Sequence, residues 1–197
     1  MIQRYIALSA LVACLALGQT YSHCRAITIS GALVPSPQTN FPLLFNSQDT
    51  GLRTAANGGG VANSNGYDVI FAAACDGTGK LNHEIEFFDG VAGRFTAWVN
   101  IPNLTSSTVI YLLYGNASIS TSQENRTAVW DSNYKGVYHF ANSTNLVNDS
   151  TGNNNGQNAG GTPLNGQVGG AVSFTKPNSI QLPLTNLSYV SGTLNGG

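Results

Sequence analysis

Charge is what this sequence has least of: eight Lys and Arg and nine Asp and Glu are spread over 197 residues, leaving a net charge of −1. With so few cations there is no basic stripe to neutralise a row of phosphates, which excludes a nucleic-acid partner. Helical periodicity is missing too, since no segment keeps apolar residues at i, i+3, i+4 spacing beyond a turn or two. After residue 18 no apolar run approaches the roughly 20 residues of a membrane-spanning helix. The sequence has no Cys-x-x-Cys pair and no His-x-x-x-His, the spacings that zinc sites use. It also lacks a Gly-x-Ser-x-Gly elbow, so nucleophilic catalysis has no support. What remains is 42% apolar residues, enough for a core, set among Asn, Ser, Thr and Gly, the residues that crowd turns.

Residues 1–18 read as a cleavable signal peptide. Arg4 is the lone charge ahead of an apolar stretch over residues 6–17, and Ala16 and Gly18 are the small residues needed before a cut at Gln19. Leu11-Val12-Ala13-Cys14 also fits a lipobox, whose cysteine would be acylated, although the chain stays apolar after Cys14 where a lipoprotein turns polar. The expected location is secreted or cell-surface, by plain cleavage rather than by a lipid on Cys14. Loss of Cys14 leaves Cys24 and Cys75 in an oxidising compartment, either as one disulfide or as two separate buried thiols.

The period that does recur is two. Residues 25–30, 41–45, 67–71, 84–88, 94–101 and 108–114 are strand candidates, separated by loops such as Asn57-Gly58-Gly59-Gly60. Strands this short, with no crossover helices between them, predict an all-β fold of antiparallel sheets packed face to face, a β-sandwich or jelly-roll-like body. Composition shifts after Gly136-Val137-Tyr138-His139-Phe140, and residues 142–170 are nearly all Asn, Gly, Ser and Thr. That stretch reads as a long loop leading into a new sheet.

Five pieces in order carry a resemblance: Arg25-Ala26-Ile27-Thr28-Ile29, Tyr67-Asp68-Val69-Ile70-Phe71, Leu81-Asn82-His83-Glu84-Ile85-Glu86, Ala97-Trp98-Val99-Asn100-Ile101-Pro102 and Ile110-Tyr111-Leu112-Leu113-Tyr114-Gly115-Asn116. Over residues 24–130 the chain resembles a domain family of unknown function found in secreted bacterial and archaeal surface proteins. The resemblance implies a β-sandwich commonly followed by a concanavalin A-like (laminin-G-like) jelly roll. Gly136 to Phe140, Asp149-Ser150-Thr151-Gly152-Asn153 and Val168-Gly169-Gly170-Ala171-Val172-Ser173-Phe174 look like the opening of such a domain. Residues 131–197 are therefore expected to be a linker and the incomplete start of a jelly roll, or a tail docked on the first domain.

The sharpest catalytic candidate is Glu84-Ile85-Glu86-Phe87-Phe88-Asp89. Residues two apart on a strand share a face about 6.6 Å apart, so Glu84 and Glu86 should project together, and a bulge would bring Asp89 to the same face. The run is similar to the Glu-x-Asp-x-x-Glu pattern of some jelly-roll glucanases, in which two carboxylates act as nucleophile and general acid/base. Here the central acid is Glu and the last is Asp. The competing reading is a solvated or loop-capping acidic face. His23, His83 and His139 lack metal-ligand spacing and are expected to hydrogen-bond locally.

Asp149 and Asn153 sit in a glycine-bent, oxygen-rich loop that suits calcium, but Gly160 stands where an EF-hand has its Glu. An ordinary Asx-rich turn is the alternative, and no other cofactor is expected. Among the aromatic residues, Trp130, Tyr134 and Tyr114 are the candidates for stacking a sugar ring, with Trp130 expected to be the more exposed because it lies in a linker-like stretch. Trp98, between Ala97 and Val99, reads as core. Asn-x-Ser/Thr sequons stand at Asn103, Asn116, Asn125, Asn142, Asn148 and Asn186, as chance would place them in such a composition. The functional expectation is an extracellular, non-catalytic module for carbohydrate binding or surface adhesion, with a polysaccharide or cell-surface glycan as partner. The alternatives are a glycoside hydrolase using Glu84 and Glu86, and a structural spacer of an envelope protein.

Overall fold

Alternating strands that each bury one face need a second sheet to cover it, and the chain supplies two. The computed structural model describes residues 20–141, 144 and 146–183. Residues 1–18, read above as a signal peptide and containing Cys14, and the sequons at Asn142 and Asn186 lie outside the described residues. One sheet has the order β1 (His23–Thr28), β6 (Val109–Tyr114), β3 (Ile70–Ala72). The other has the order β2 (Gln38–Gln48), β5 (Arg94–Leu104), β4 (His83–Asp89). Every pair of neighbouring strands in both sheets is antiparallel. Phe71, Ile110 and Leu112 from one sheet and Phe95, Ala97, Val99 and Ile101 from the other share one buried cluster, which makes the body a β-sandwich. Among the described residues no helix is long and apolar enough to cross a membrane.

All six runs of period two fall on strands, with two differences. The central ladder is longer than the alternation suggests, because β2 pairs with β5 from Gln38↔Leu104 to Gln48↔Arg94. Pro42 is tolerated there since β2 is an edge strand and one side of it needs no donor. Residues 67–69 are not strand. Fully buried Asp68 instead accepts the backbone N–H groups of Ala62, Asn63 and Gly115, each at 2.8 Å, and folds this stretch into a turn. Cys24 on β1 and Cys75, just past β3, form a disulfide and tie the two outer strands of their sheet.

The remaining strands form two small ribbons: β7 (Gln157–Ala159) with β10 (Ser179–Gln181), and β8 (Thr162–Asn165) with β9 (Gly170–Ser173). The β8–β9 turn lies on the outer face of the β2-β5-β4 sheet. Arg94 donates from Nη2 to the Val168 carbonyl at 3.3 Å while its guanidinium covers the Phe87 ring at 4.9 Å. A Cβ on Gly169 would overlap Glu86 Oε1, so only glycine lets the turn approach this closely. The β-sandwich is thus covered on one face by residues that follow it in sequence.

Candidate functional site

That covered face is where the two glutamates lie. In a regular strand Glu84 and Glu86 would share a face, but β4 is bulged: the register against β5 runs Glu84↔Trp98, Ile85↔Ala97, then Phe87↔Thr96, leaving Glu86 as the extra residue. The bulge turns Glu86 and Phe87 both outward while Ile85 and Phe88 keep the core. It also gives Asp89 the outward parity, yet that carboxylate caps the following turn, accepting the N–H groups of Val91 and Ala92 at 2.8 and 2.9 Å. Asp89 therefore takes no part with the other two acids.

Glu84 is 3% exposed and each of its oxygens has two donors. Oε1 accepts from Arg126 Nε at 3.0 Å and Ser150 Oγ at 2.6 Å; Oε2 accepts from Trp130 Nε1 at 3.0 Å and faces His139 Nε2 at 3.1 Å. The other imidazole nitrogen, Nδ1, contacts Glu86 Oε2, which also accepts from Trp98 Nε1 at 3.1 Å. An imidazole that donates from both nitrogens to carboxylates is an imidazolium. Burial works against that charge, but the hydrogen bonds and the attraction of Glu84 and Glu86 outweigh it and raise His139 to about 9. Burial likewise works to raise Glu84, and its hydrogen bonds from His139, Ser150 and Trp130 hold it below the usual carboxylate range. Trp98 and Trp130 lie 6.3 and 6.0 Å from the imidazole, ring centre to ring centre.

The four partners of Glu84 come from 42 to 66 positions further along the chain. The edge of β4 is closed in the same way, with Ile85 N–H donating to Glu124 Oε1 at 2.7 Å and Asn125 N–H to the His83 carbonyl at 3.0 Å. Chemically the cluster is an ion network saturated at Glu84, with four partners on two oxygens. A general acid needs a carboxyl raised toward neutral pH and open to its substrate; Glu84 is lowered, buried and committed to four donors. A hollow of about 250 Å³ beside it is bordered by Glu86, Glu124, Arg126 and His139. His83, next in chain, points the other way into the core, where burial lowers it to about 4, so it is neutral at physiological pH.

The aromatic candidates separate. Trp130 is 8% exposed, not the open platform expected, because Glu84 draws its indole N–H inward. Tyr114 is buried and stacked on His23 at 4.8 Å, which removes it from ligand contact. Trp98 is half-buried on the outer face of its sheet, not in the sandwich core. Tyr134 is 37% exposed and packs edge-on against Trp130 at 5.2 Å. Two open clefts flank it. One, of about 540 Å³, is lined by Trp130, Lys135, Thr151, Asn153 and Asn154; the other, of about 300 Å³, by Gln38, Thr39, Asn40 and Phe41; both include Asp131 and Tyr134.

Asp149 anchors the loop over the first cleft. Its Oδ1 accepts from Val137 N at 2.8 Å and Thr151 N at 3.0 Å, and its Oδ2 from Thr151 Oγ1 and the N–H groups of Asn153 and Asn154. Those donors are what an Asx-rich turn uses and leave the carboxylate facing N–H and O–H groups rather than a cation. Among the described residues no group of three His, Cys, Asp or Glu side chains is placed to hold a metal ion.

Residues 65–154 match the family described as Domain of unknown function (DUF2341). The matched span begins before β3 and runs through Arg126, Trp130, His139 and Ser150, so it takes in Glu84, Glu86 and the donors that surround them. No curated protein and no solved structure matches the chain.

Proposed function

We propose that the protein is an extracellular, non-catalytic surface module that binds a neutral glycan along the two clefts flanking Tyr134. The observation that carries this reading is the shared wall: a half-exposed phenol ring with an open cleft on either side, bordered by amide and hydroxyl side chains. Sugar rings present flat C–H faces and a rim of hydroxyls, and aromatic faces with a few placed polar groups are their complement. Asp131 and Lys135 are one charge of each sign, so the wall attracts neither polyanions nor polycations. Export is supported by the leader pattern of residues 1–18 and by a disulfide, which persists in oxidising compartments.

Catalysis by Glu84 and Glu86 is the weaker reading because the ring of His139 lies between the two carboxylates and both are engaged by protein donors. The test is direct binding of soluble glucans, mannans, xylans and galactans, repeated with calcium present, to the wild type and to Tyr134→Ala. Binding that drops at least tenfold in the variant supports the reading. Equal binding by both proteins moves the site elsewhere, and no binding by either leaves a structural spacer. Release of new reducing ends by the wild type, abolished in Glu86→Gln, would establish the hydrolase instead.

A further inference from the structure

The two clefts beside Tyr134 differ in what walls them. Tyr134 and Asp131 are common to both, so the clefts meet there. The smaller one is bordered by five consecutive residues, Gln38 to Pro42. Successive strand residues point to opposite faces, so this cleft follows an edge of β2 and not one face of it, and β2 is an outer strand of its sheet. Asn100, paired with Pro42, gives its N–H to the Asn82 carbonyl on the β4 side. The Pro42 pair is therefore of the non-hydrogen-bonded kind, and the donor that proline lacks falls on the free edge. An extended peptide laid along that edge would miss a rung of its ladder, whereas a sugar hydroxyl can donate to an edge carbonyl and needs nothing from Pro42.

Asn40, in the middle of this wall, has a φ of +49° although its neighbours Thr39 and Phe41 keep register with Asn103 and Ile101. A left-handed residue within a strand is strained, and such residues gather at binding sites. Asparagine eases that conformation by bonding its side chain to nearby backbone, but the exposed Asn40 side chain makes no hydrogen bond among the described residues. Its amide has one acceptor and two donors to give, the complement of two neighbouring hydroxyls on a sugar ring.

We infer that the ligand is a linear neutral polysaccharide held along its length, with one sugar against Tyr134, the chain running on into both clefts, and Asn40 binding hydroxyls of the sugar in the smaller one. The inference rests on the glycan-binding reading and specifies the form of the ligand: the interior of a chain, not a chain end or a single sugar. At about 540 and 300 Å³, each cleft reaches the roughly 300–1,000 Å³ of a complete small-molecule site, so each has room for a sugar of its own. Gln38, Thr39, Asn40 and Asn133 are uncharged, which leaves Asp131 as the one charge bordering the smaller cleft among the described residues.

The experiment uses the full chain with cello-, manno-, xylo- and galacto-oligosaccharides of one to six sugars and the corresponding long polymers. Binding is measured by calorimetry for the wild type, Tyr134→Ala and Asn40→Gly. Glycine adopts the left-handed conformation freely, so that variant removes the amide without straining β2. In the series that binds, wild-type affinity is expected to rise at least tenfold from the two-sugar to the four-sugar member. Asn40→Gly should cancel that rise and leave the two-sugar member unchanged, and a long polymer should take up several proteins per chain. Equal affinity at every length, still lost in Tyr134→Ala, overturns the spanning chain while leaving the glycan-binding reading in place. A rise with length that persists in Asn40→Gly, or a variant that weakens every length alike, overturns the role of Asn40. One protein per polymer chain means that an end is bound and overturns the inference as well. Absence of wild-type binding to every oligosaccharide and polymer overturns both readings.

Discussion

His139 Nε2 lies 3.1 Å from Glu84 Oε2 although the two residues are 55 positions apart. Through that contact, and through Nδ1 to Glu86, the segment following the sandwich is locked to the outer face of its second sheet. The lock also sets the cleft: Glu84 holds the indole of Trp130, and Trp130 backs Tyr134. Glu84 is thereby a positioning residue for a surface several side chains away.

Stability should peak near pH 6.5, because two histidines shift in opposite directions. His139 is raised to about 9, so the folded state holds its proton where the unfolded chain has lost it; its contribution is full below about 6.5 and disappears as pH rises through 9. His83 is lowered to about 4, so the unfolded chain binds its proton first and stability falls as pH drops from about 6.5 toward 4, by roughly 3 kcal/mol in all. Urea titrations across pH 4 to 9 check this. His139→Gln should flatten the alkaline limb and His83→Gln the acid one, and a limb that persists in its own variant contradicts the assignment.

Replacing Glu84 by Gln keeps its shape but leaves Arg126 and His139 facing a neutral amide. Breaking a buried ion pair by removing one partner costs about 3–5 kcal/mol, and the lower end is expected since Arg126 is partly exposed and His139 retains Glu86. The measurement is the urea midpoint together with tryptophan fluorescence, which should shift as Trp130 exchanges a carboxylate partner for a neutral amide. An unchanged midpoint would mean that the network holds nothing together.

Much of the sandwich was legible in the sequence, since period-two alternation needs only near neighbours, and the disulfide between Cys24 and Cys75 is the first of the two arrangements their even number allowed. That Glu84 and Glu86 face one way was legible as well, whereas the bulge that turns Phe87 outward beside Glu86 was not. The donors around Glu84 were not, because Arg126, Trp130, His139 and Ser150 carry no pattern of their own and meet only through long-range folding. Trp130 misleads for the same reason: a polar neighbourhood in sequence says nothing about a buried carboxylate 46 positions away. Asp68 is a similar case, reading as a strand residue and serving as a clamp for three backbone donors.

That clamp gives a second mutational test. Asp68→Ala strands three N–H groups in a fully buried site. At about 1–3 kcal/mol for each buried group left unsatisfied, the variant should lose most of a typical domain's stability and be recovered mainly in the unfolded fraction. Asp68→Asn retains one acceptor oxygen and should be intermediate by thermal melting; equality of the two variants would show that the charge, not the geometry, matters.

The disulfide closes a loop with a sequence separation of 51, for which chain entropy alone gives about 4 kcal/mol. The Cys24→Ala, Cys75→Ala double variant should therefore lose up to that amount, and reducing agent should lower the melting temperature of the wild type but not of the variant. A melting temperature indifferent to reductant would place the constraint in the β1–β6–β3 ladder itself.

Gly169 tests whether the β8–β9 turn is docked on the glutamates. A Cβ there would overlap Glu86 Oε1, and that carboxylate has no freedom to swing away because Trp98 and His139 hold its other oxygen. Gly169→Ala should therefore destabilise the wild type, while in a Glu86→Ala background the added methyl meets empty space and costs little. The quantity that decides is the coupling energy of the double-mutant cycle, expected at about 1–3 kcal/mol for side chains in direct contact. Additive effects of the two substitutions would show that the turn does not rest on Glu86 in solution, and the roof over the ion network would then have to be supplied by residues 126–150 alone.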